Sequence, residues 1–358
     1  MVKGSLIVGL ALVAGCSGDP EVESPPPYDG PPIPWAYKPF PKQAVPKSNP
    51  TTDEKVALGQ LLFYDPILSS DRKVACATCH SEVWGMSDGL PVSIGIDGEG
   101  PTGPGRTGPN KTRRNAQTLW NAGFRKNLFW DGRVKSLEEQ VLHPLEEPKE
   151  LNRDPDAVVA DLAAIDEYAA LFEAAFPGQG VTPDNLARAI AALERTFVSD
   201  RAPYDRYVSG DVGALNEETV RGMNLFGEAG CASCHVAPLF DSEKWVDRGL
   251  AQGADLGRFE VTGKEADRYA FRVPTLRNAR DSEPYFHDGS VQDLRDAVAR
   301  EVARSVDTGD SRPLAPDEID AITTFIDKAL TDLSDGPHRP KKVPSGLDIP
   351  VDGFRIPR

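Results

Sequence analysis

The chain runs to 358 residues, 39% hydrophobic and 27% charged, with 32 Gly and 32 Pro. That length predicts two domains of roughly 100–200 residues each, and the apolar fraction suffices for packed cores, which excludes whole-chain disorder. A net charge of −15 and a pI near 4.9 exclude a nucleic-acid binder with its basic stripe.

Residues 1–15 carry Lys3, an apolar run from Leu6 to Val13 and small residues up to Gly15. This is the pattern of a secretory signal. No later stretch reaches the roughly 20 apolar residues of a membrane span. Val13-Ala14-Gly15-Cys16 resembles a bacterial lipobox, in which Cys16 becomes a lipidated N-terminus, and Ser17 after it points to the outer membrane. Residues 16–50 hold Pro25-Pro26-Pro27 and Pro31-Pro32 and predict an extended tether. The expected location is the periplasm, with the membrane reached through a lipid anchor.

Helices are predicted over 53–63, 155–176, 216–228 and 291–304. Thr182-Pro183 is an N-cap and first-turn pair opening a helix with Leu186, Ile190, Leu193 and Phe197 on one face. Pro316 opens another, with Ile319, Ile322, Ile326, Leu330 and Leu333 aligned. Period-2 alternation is nearly absent, so the fold class is mainly α. Glycine-rich stretches at 95–109 and 249–263 predict long surface loops, and 336–358 an irregular tail. The folded part divides into 51–200 and 201–335, with no repeat evident beyond the motifs described next.

Four cysteines lie in two identical frames, Cys76-Ala77-Thr78-Cys79-His80 and Cys231-Ala232-Ser233-Cys234-His235. C-x-x-C-H is the attachment motif of a c-type haem. Two thiols at that spacing reach the two vinyl groups, and the following His sits under the iron as axial ligand. The rival is a zinc site built from two Cys-x-x-Cys knuckles. About 150 residues separate His80 from Cys231, a domain's length, which favours one haem for each motif. Two cytochrome c-like haem domains packed across an inter-domain interface are therefore expected.

Around these motifs stand Leu58-Gly59-Gln60-Leu61-Leu62-Phe63-Tyr64-Asp65, Asp88-Gly89-Leu90-Pro91, Arg114-Asn115, Phe129-Trp130-Asp131-Gly132-Arg133 and Leu137-Glu138-Glu139-Gln140. Pro274-Thr275-Leu276-Arg277-Asn278 and Pro284-Tyr285-Phe286-His287-Asp288-Gly289-Ser290 follow in the second half. With these runs the sequence, from about Leu58 to Leu333, resembles the bacterial di-haem cytochrome c peroxidase family, which includes MauG. The resemblance implies that the His80 haem meets peroxide and the His235 haem receives electrons. It implies that Trp130 relays between them, where composition alone would make a Trp a packing residue. Gln140, Pro144 and Glu150 match residues lining the peroxide pocket. Glu150 has the clearest chemical need, since peroxide cleavage wants a carboxylate that moves a proton between the two oxygens. A solvated charge at a helix end is the bland alternative. Asn115, with the carbonyls of Ser282 and Pro284, matches an inter-domain calcium site of oxygen ligands. His287 matches a family histidine near the second haem, in a structural role.

Two departures from the family stand out. Family peroxidases carry a distal His where this chain reads Ser93-Ile94-Gly95-Ile96, and Met86 is the one soft donor nearby. The family's Met or Tyr ligand to the second haem, seventeen residues after the matched Pro, is Glu301 here. Glu301 is thus a candidate distal ligand, against a five-coordinate iron or His338 from the tail. The expected function is reduction of hydrogen peroxide with electrons from a small donor cytochrome or copper protein. The alternatives are MauG-like oxidation of a residue on a partner protein, or a plain electron-transfer cytochrome.

Overall fold

The computed structural model describes residues 40–249, 253–334 and 336–355. The signal, the lipobox with Cys16 and most of the tether lie outside the described residues. Among the described residues no helix is long and apolar enough to cross a membrane. The protein is mainly helical. Among the described residues strand is confined to the pair β1 (Trp245–Val246) and β2 (Phe271–Arg272), antiparallel, with Trp245 opposite Arg272.

The first half is built from α1 (Asp53–Tyr64), α2 (Leu137–Glu146), α3 (Pro155–Ala163), α4 (Asp166–Ala175) and α5 (Pro183–Glu194). Thr182 caps α5 as its sequence predicts, accepting a hydrogen bond from the Asn185 N–H at 3.1 Å. The single helix expected over 155–176 is two. Ile165 takes extended angles, and its N–H turns back to the Leu162 carbonyl at 3.1 Å, so the chain breaks there and re-enters the core as α4. α5 stops at Glu194. Phe197 is therefore placed by a tight turn rather than by the helix, yet it is still buried.

The second half holds α6 (Glu217–Glu228), α7 (Leu294–Thr308) and α8 (Pro316–Thr324). After Thr324 the helix widens into a π turn over Phe325–Ala329. The predicted stripe keeps Ile322, Ile326 and Leu330 buried, but it loses Leu333, which is 79% exposed. Each half has its own apolar core, one drawn from residues 58–197 and one from 204–330.

The two halves repeat each other, which the sequence did not reveal. In α1 and α6 a Gly-x-x-Leu-Phe run puts a glycine against a neighbouring helix. A Cβ on Gly59 would lie 2.2 Å from the Ala189 carbonyl oxygen, and one on Gly222 2.0 Å from that of Ala321. Asn121 and Asn278, both left-handed, open 3-10 turns. Eight residues later Phe129 and Phe286 are left-handed in turn, each ahead of an Asp-Gly pair. The repeat makes the interface reciprocal. The Asn115 N–H donates to the His287 carbonyl and the Arg272 N–H to the Trp130 carbonyl, both at 2.8 Å.

The stretch after Ser334 is irregular but packed. Val343 joins the first core, Ser345 Oγ donates to Asp65 at 2.7 Å, and Arg339 pairs with Glu82 at 3.0 Å. Arg355 then ties the Val83 carbonyl of the first half to Glu283 of the second, at 2.7 and 2.8 Å. The glycine-rich loop at 95–109 is likewise less free than predicted. Arg106 is buried inside it and donates to the carbonyls of Ile94, Gly95 and Gly100.

Candidate active site: the first histidine cavity and the second motif

Each CxxCH motif sits on a short helical turn, Cys76–Cys79 capped by His80 and Cys231–Ser233 capped by Cys234 just before His235. His80 Nδ1 lies 3.1 Å from the Met86 carbonyl, and His235 Nδ1 lies 3.1 Å from that of Phe240. A carbonyl can only accept, so Nδ1 carries the proton and Nε2 keeps its lone pair. Burial holds both rings neutral. It lowers the His80 pKa against the backbone bonds to Met86 and Gln117, and it lowers that of His235 to about 4 against Phe240 and Pro274. This is the tautomer an axial metal ligand needs.

The device is repeated to the residue. Met86 and Phe240 are both non-glycine residues at positive φ, 61° and 51°. The loops that present them are pinned by matching threonines: Thr118 donates to the Gly85 carbonyl and Thr275 to the Leu239 carbonyl, each at 2.7 Å.

The four cysteines form no disulfide. Burial pushes Cys76 and Cys231 up to about 12, so both are neutral thiols. Among the described residues the two motifs do not come together in one cluster, so their four cysteines do not share a site. Around the first motif lies a cavity of 590 Å³ lined by Cys76, Cys79, His80, Trp130, Gln140, Pro144 and Glu150 among others. Its wall also holds Glu194, with one carboxylate oxygen unpartnered, and Gln117, with its amide nitrogen unpartnered. A neutral imidazole with a free Nε2, two thiols at haem spacing and stranded polar atoms in one cavity fit a c-type haem.

Glu150 is half-buried. Burial raises its pKa to about 7, with the Glu147 carboxylate adding to the rise and Arg133 opposing it. Its carbonyl accepts the Ile96 N–H at 3.0 Å, so the residue at the family's distal-His position is fastened beside Glu150 with a side chain buried in the core. The cavity wall contains no methionine and no histidine besides His80. Met86 is fully buried in the first core, as its packing role requires.

Trp130 is buried in the interface and its Nε1 donates to the Asn115 carbonyl at 3.0 Å. Its ring meets His287 edge-on at 6.4 Å, and His287 stacks on Phe271 at 3.8 Å. Trp130 and His287 occupy equivalent places in the repeat.

A family model described as di-haem cytochrome c peroxidase matches residues 53–213. Cytochrome c551 peroxidase of Pseudomonas aeruginosa is 36% identical over 302 residues, which cover 81% of this chain and 83% of that protein. The chain belongs to the di-haem cytochrome c peroxidase family. Methylamine utilization protein MauG of Methylorubrum extorquens is 41% identical over 256 residues, 70% of this chain and 69% of that protein. A solved MauG-like protein associated with microbial copper homeostasis superposes with a TM-score of 0.72 at 28% identity, covering 86% of this chain and 96% of that one. As a member of the peroxidase family the chain is an oxidoreductase that uses peroxide and carries two c-type haems.

Other expected residues sit as follows. Glu301, on α7, accepts from Arg248 Nε at 2.7 Å, and its backbone carbonyl accepts from the same guanidinium at 3.0 Å. It lies close enough to Cys231 to raise that thiol's pKa. The His338 carbonyl accepts from Gln60 of α1, which puts it on the first half. Asn115 is buried and its amide donates to the Leu90 carbonyl at 2.8 Å, while Ser282 Oγ donates to the Ala279 carbonyl at 3.4 Å.

Glu194 escaped the sequence reading. Its signal was a charged residue four after Ile190, inside the apolar stripe of α5, where an acid needs a reason to be.

Proposed function

We propose that the first cavity binds hydrogen peroxide and that Glu150 moves the proton its cleavage requires. The observation that carries this is a carboxyl with a pKa near 7 on the wall shared with Cys76, Cys79 and His80, in a cavity with no competing imidazole or thioether. Bound there, a haem supplies the centre that exchanges electrons with peroxide. Glu150 accepts the proton of the inner peroxide oxygen and returns it to the outer one. Gln140 lends an amide to hold the peroxide, and Pro144 keeps the wall apolar beside it. Two electrons from a donor and two protons from solvent complete the conversion of one peroxide to two waters.

In this reading Cys76, Cys79, Cys231 and Cys234 would carry the thioether links, and His80 and His235 would hold the two irons. Trp130 stands between the two sites as the electron relay. Glu301 is the candidate sixth ligand of the second haem, and ligation would require it to give up Arg248. A calcium ion held by Asn115 with the carbonyls of Ser282 and Pro284 would tie the halves together. The protein works in the periplasm, anchored to the outer membrane through Cys16. Its electron donor is a small cytochrome or copper protein.

Ile96 supports a second reading, MauG-like oxidation of a residue on a partner protein. With no donor atom at the distal position, the first site needs no reductive opening. The test is stopped-flow mixing of oxidised, di-haem enzyme with hydrogen peroxide. Reaction before any reduction, from a high-spin His80 haem, is expected. A wholly low-spin resting spectrum with no reaction until one electron is added would overturn the open-site reading.

A further inference from the structure

Two guanidinium groups are stranded in the wall between the halves. Arg125 follows the 3-10 turn Ala122–Phe124 and lines the first cavity, its side chain 4% exposed. Its Nη1 makes a long bond to the Thr118 carbonyl at 3.5 Å, while Nε and Nη2 have no hydrogen-bond partner. Arg272, on β2, is 1% exposed. Its Nη1 donates to the Val273 carbonyl at 3.1 Å, and again Nε and Nη2 have no partner.

Asp241 and Glu243 act on both guanidiniums by charge and oppose the effect of burial, but they leave these nitrogens without hydrogen bonds. Asp241 Oδ2 stands 3.7 Å from Arg125 Nε, outside hydrogen-bond reach. Glu243 is spent on the Lys126 N–H and the Asn127 amide, at 2.9 and 2.6 Å. Burial lowers the pKa of both guanidiniums, and Arg125 lowers that of Arg272 further, so the two cations feel each other. Four buried guanidinium nitrogens without partners in one wall call for an acceptor.

The place of the pair identifies that acceptor. Arg125 opens on the cavity of Cys76, Cys79 and His80. Arg272 lies two residues before Pro274, whose backbone bonds the His235 ring, and Asp241 follows Phe240, which bonds it too. The Arg272 N–H also holds the Trp130 carbonyl. Each haem brings two propionate carboxylates, and a planar guanidinium is the side chain best shaped to take one.

We propose that Arg125 and Arg272 form one shared clamp for haem carboxylates, Arg125 taking a propionate of the first haem and Arg272 one of the second. The clamp fixes both haems to the same wall beside Trp130. Both arginines are positioning residues, and the proposal needs the two haems but not the peroxide chemistry assigned to Glu150.

The test uses the full-length di-haem protein with Arg125→Gln, Arg125→Lys, Arg272→Gln and Arg272→Lys. Thioether links should keep both haems attached in every variant. Removing a cation beside a carboxylate favours the ferric state, so Arg125→Gln should lower the reduction potential mainly of the His80 haem, and Arg272→Gln mainly that of the His235 haem. The lysine variants should recover potential. All four should shift the propionate bending bands in the resonance Raman spectrum, because a point donor does not reproduce the fork. If a glutamine variant does not accumulate, the Raman bands of its lysine counterpart decide. Wild-type potentials and bands throughout would overturn the clamp. So would shifted potentials with unchanged bands, or a wild-type potential that moves when chloride is withdrawn, since either result would put another anion between the arginines.

Discussion

At the scale of single residues, the site turns on carboxyls kept from their ordinary behaviour by burial. Glu150, with a pKa of about 7, is neutral in acid and ionised above neutrality. As a base it acts only when ionised, so the peroxide step should accelerate as pH rises through about 7. Glu150→Gln should lose that limb and slow the step by about 10²–10⁴-fold, read by stopped-flow absorbance across the range. A pH profile shared by variant and wild type would remove Glu150 from the reaction. Glu194 is a stability matter. It is 4% exposed, and burial raises its pKa to about 8, with Glu138 adding to the rise and Arg195 opposing it. The folded protein therefore holds a proton that the unfolded chain releases near its ordinary value of about 4.3. Stability from this group is full in acid and is lost as pH rises toward about 8. Glu194→Gln should flatten that decline, seen as a smaller drop in melting temperature between about pH 5 and about pH 9. An unchanged drop would mean that other groups carry it.

At the scale of elements, the tightest features are two helix crossings. The Ala189 and Ala321 carbonyls lie where a Cβ on Gly59 or Gly222 would go, and neither carbonyl can step aside without moving its helix. Gly59→Ala and Gly222→Ala should each cost about 1–3 kcal/mol. Chemical denaturation checks this, and midpoints equal to wild type would show that the helices slide apart freely. Much of this architecture was legible in the chain. The caps and stripes marked the long helices, and the two C-x-x-C-H frames marked the matching histidine turns and the cavity at the first of them. The break at Ile165 was not legible, because a continuous apolar pattern does not say where a helix must turn to reach its core. The repeat was hidden for another reason. Its contacts run through backbone: the carbonyls of Met86 and Phe240, the bonds at Gln117 and Pro274, the crossed N–H groups of Asn115 and Arg272. A carbonyl places no demand on the side chain above it, and the residues that do match, Gly59 with Gly222, Thr118 with Thr275 and Asn121 with Asn278, lie scattered among unlike neighbours.

At the scale of the whole molecule, the halves are joined by the reciprocal bonds around Trp130 and His287 and by the packed C-terminal stretch. Arg339 and Arg355 hold Glu82 and the Val83 carbonyl, in the loop that presents Met86 to His80. A chain ending at residue 335 should therefore disturb the first haem more than the second. The expected result is a broadened or mixed EPR signal for the His80 haem beside an unchanged one for the His235 haem, with a lowered melting temperature. Equal perturbation of both signals would show that the stretch is not specific to the first half. Its reach has a consequence for synthesis. Ser345 closes on Asp65 across 280 residues of chain, and Val343 fills a core whose other members end at Phe197. The first half therefore cannot close its core until residues 343–345 reach it. The part of this protein that is born first is the part that finishes folding last.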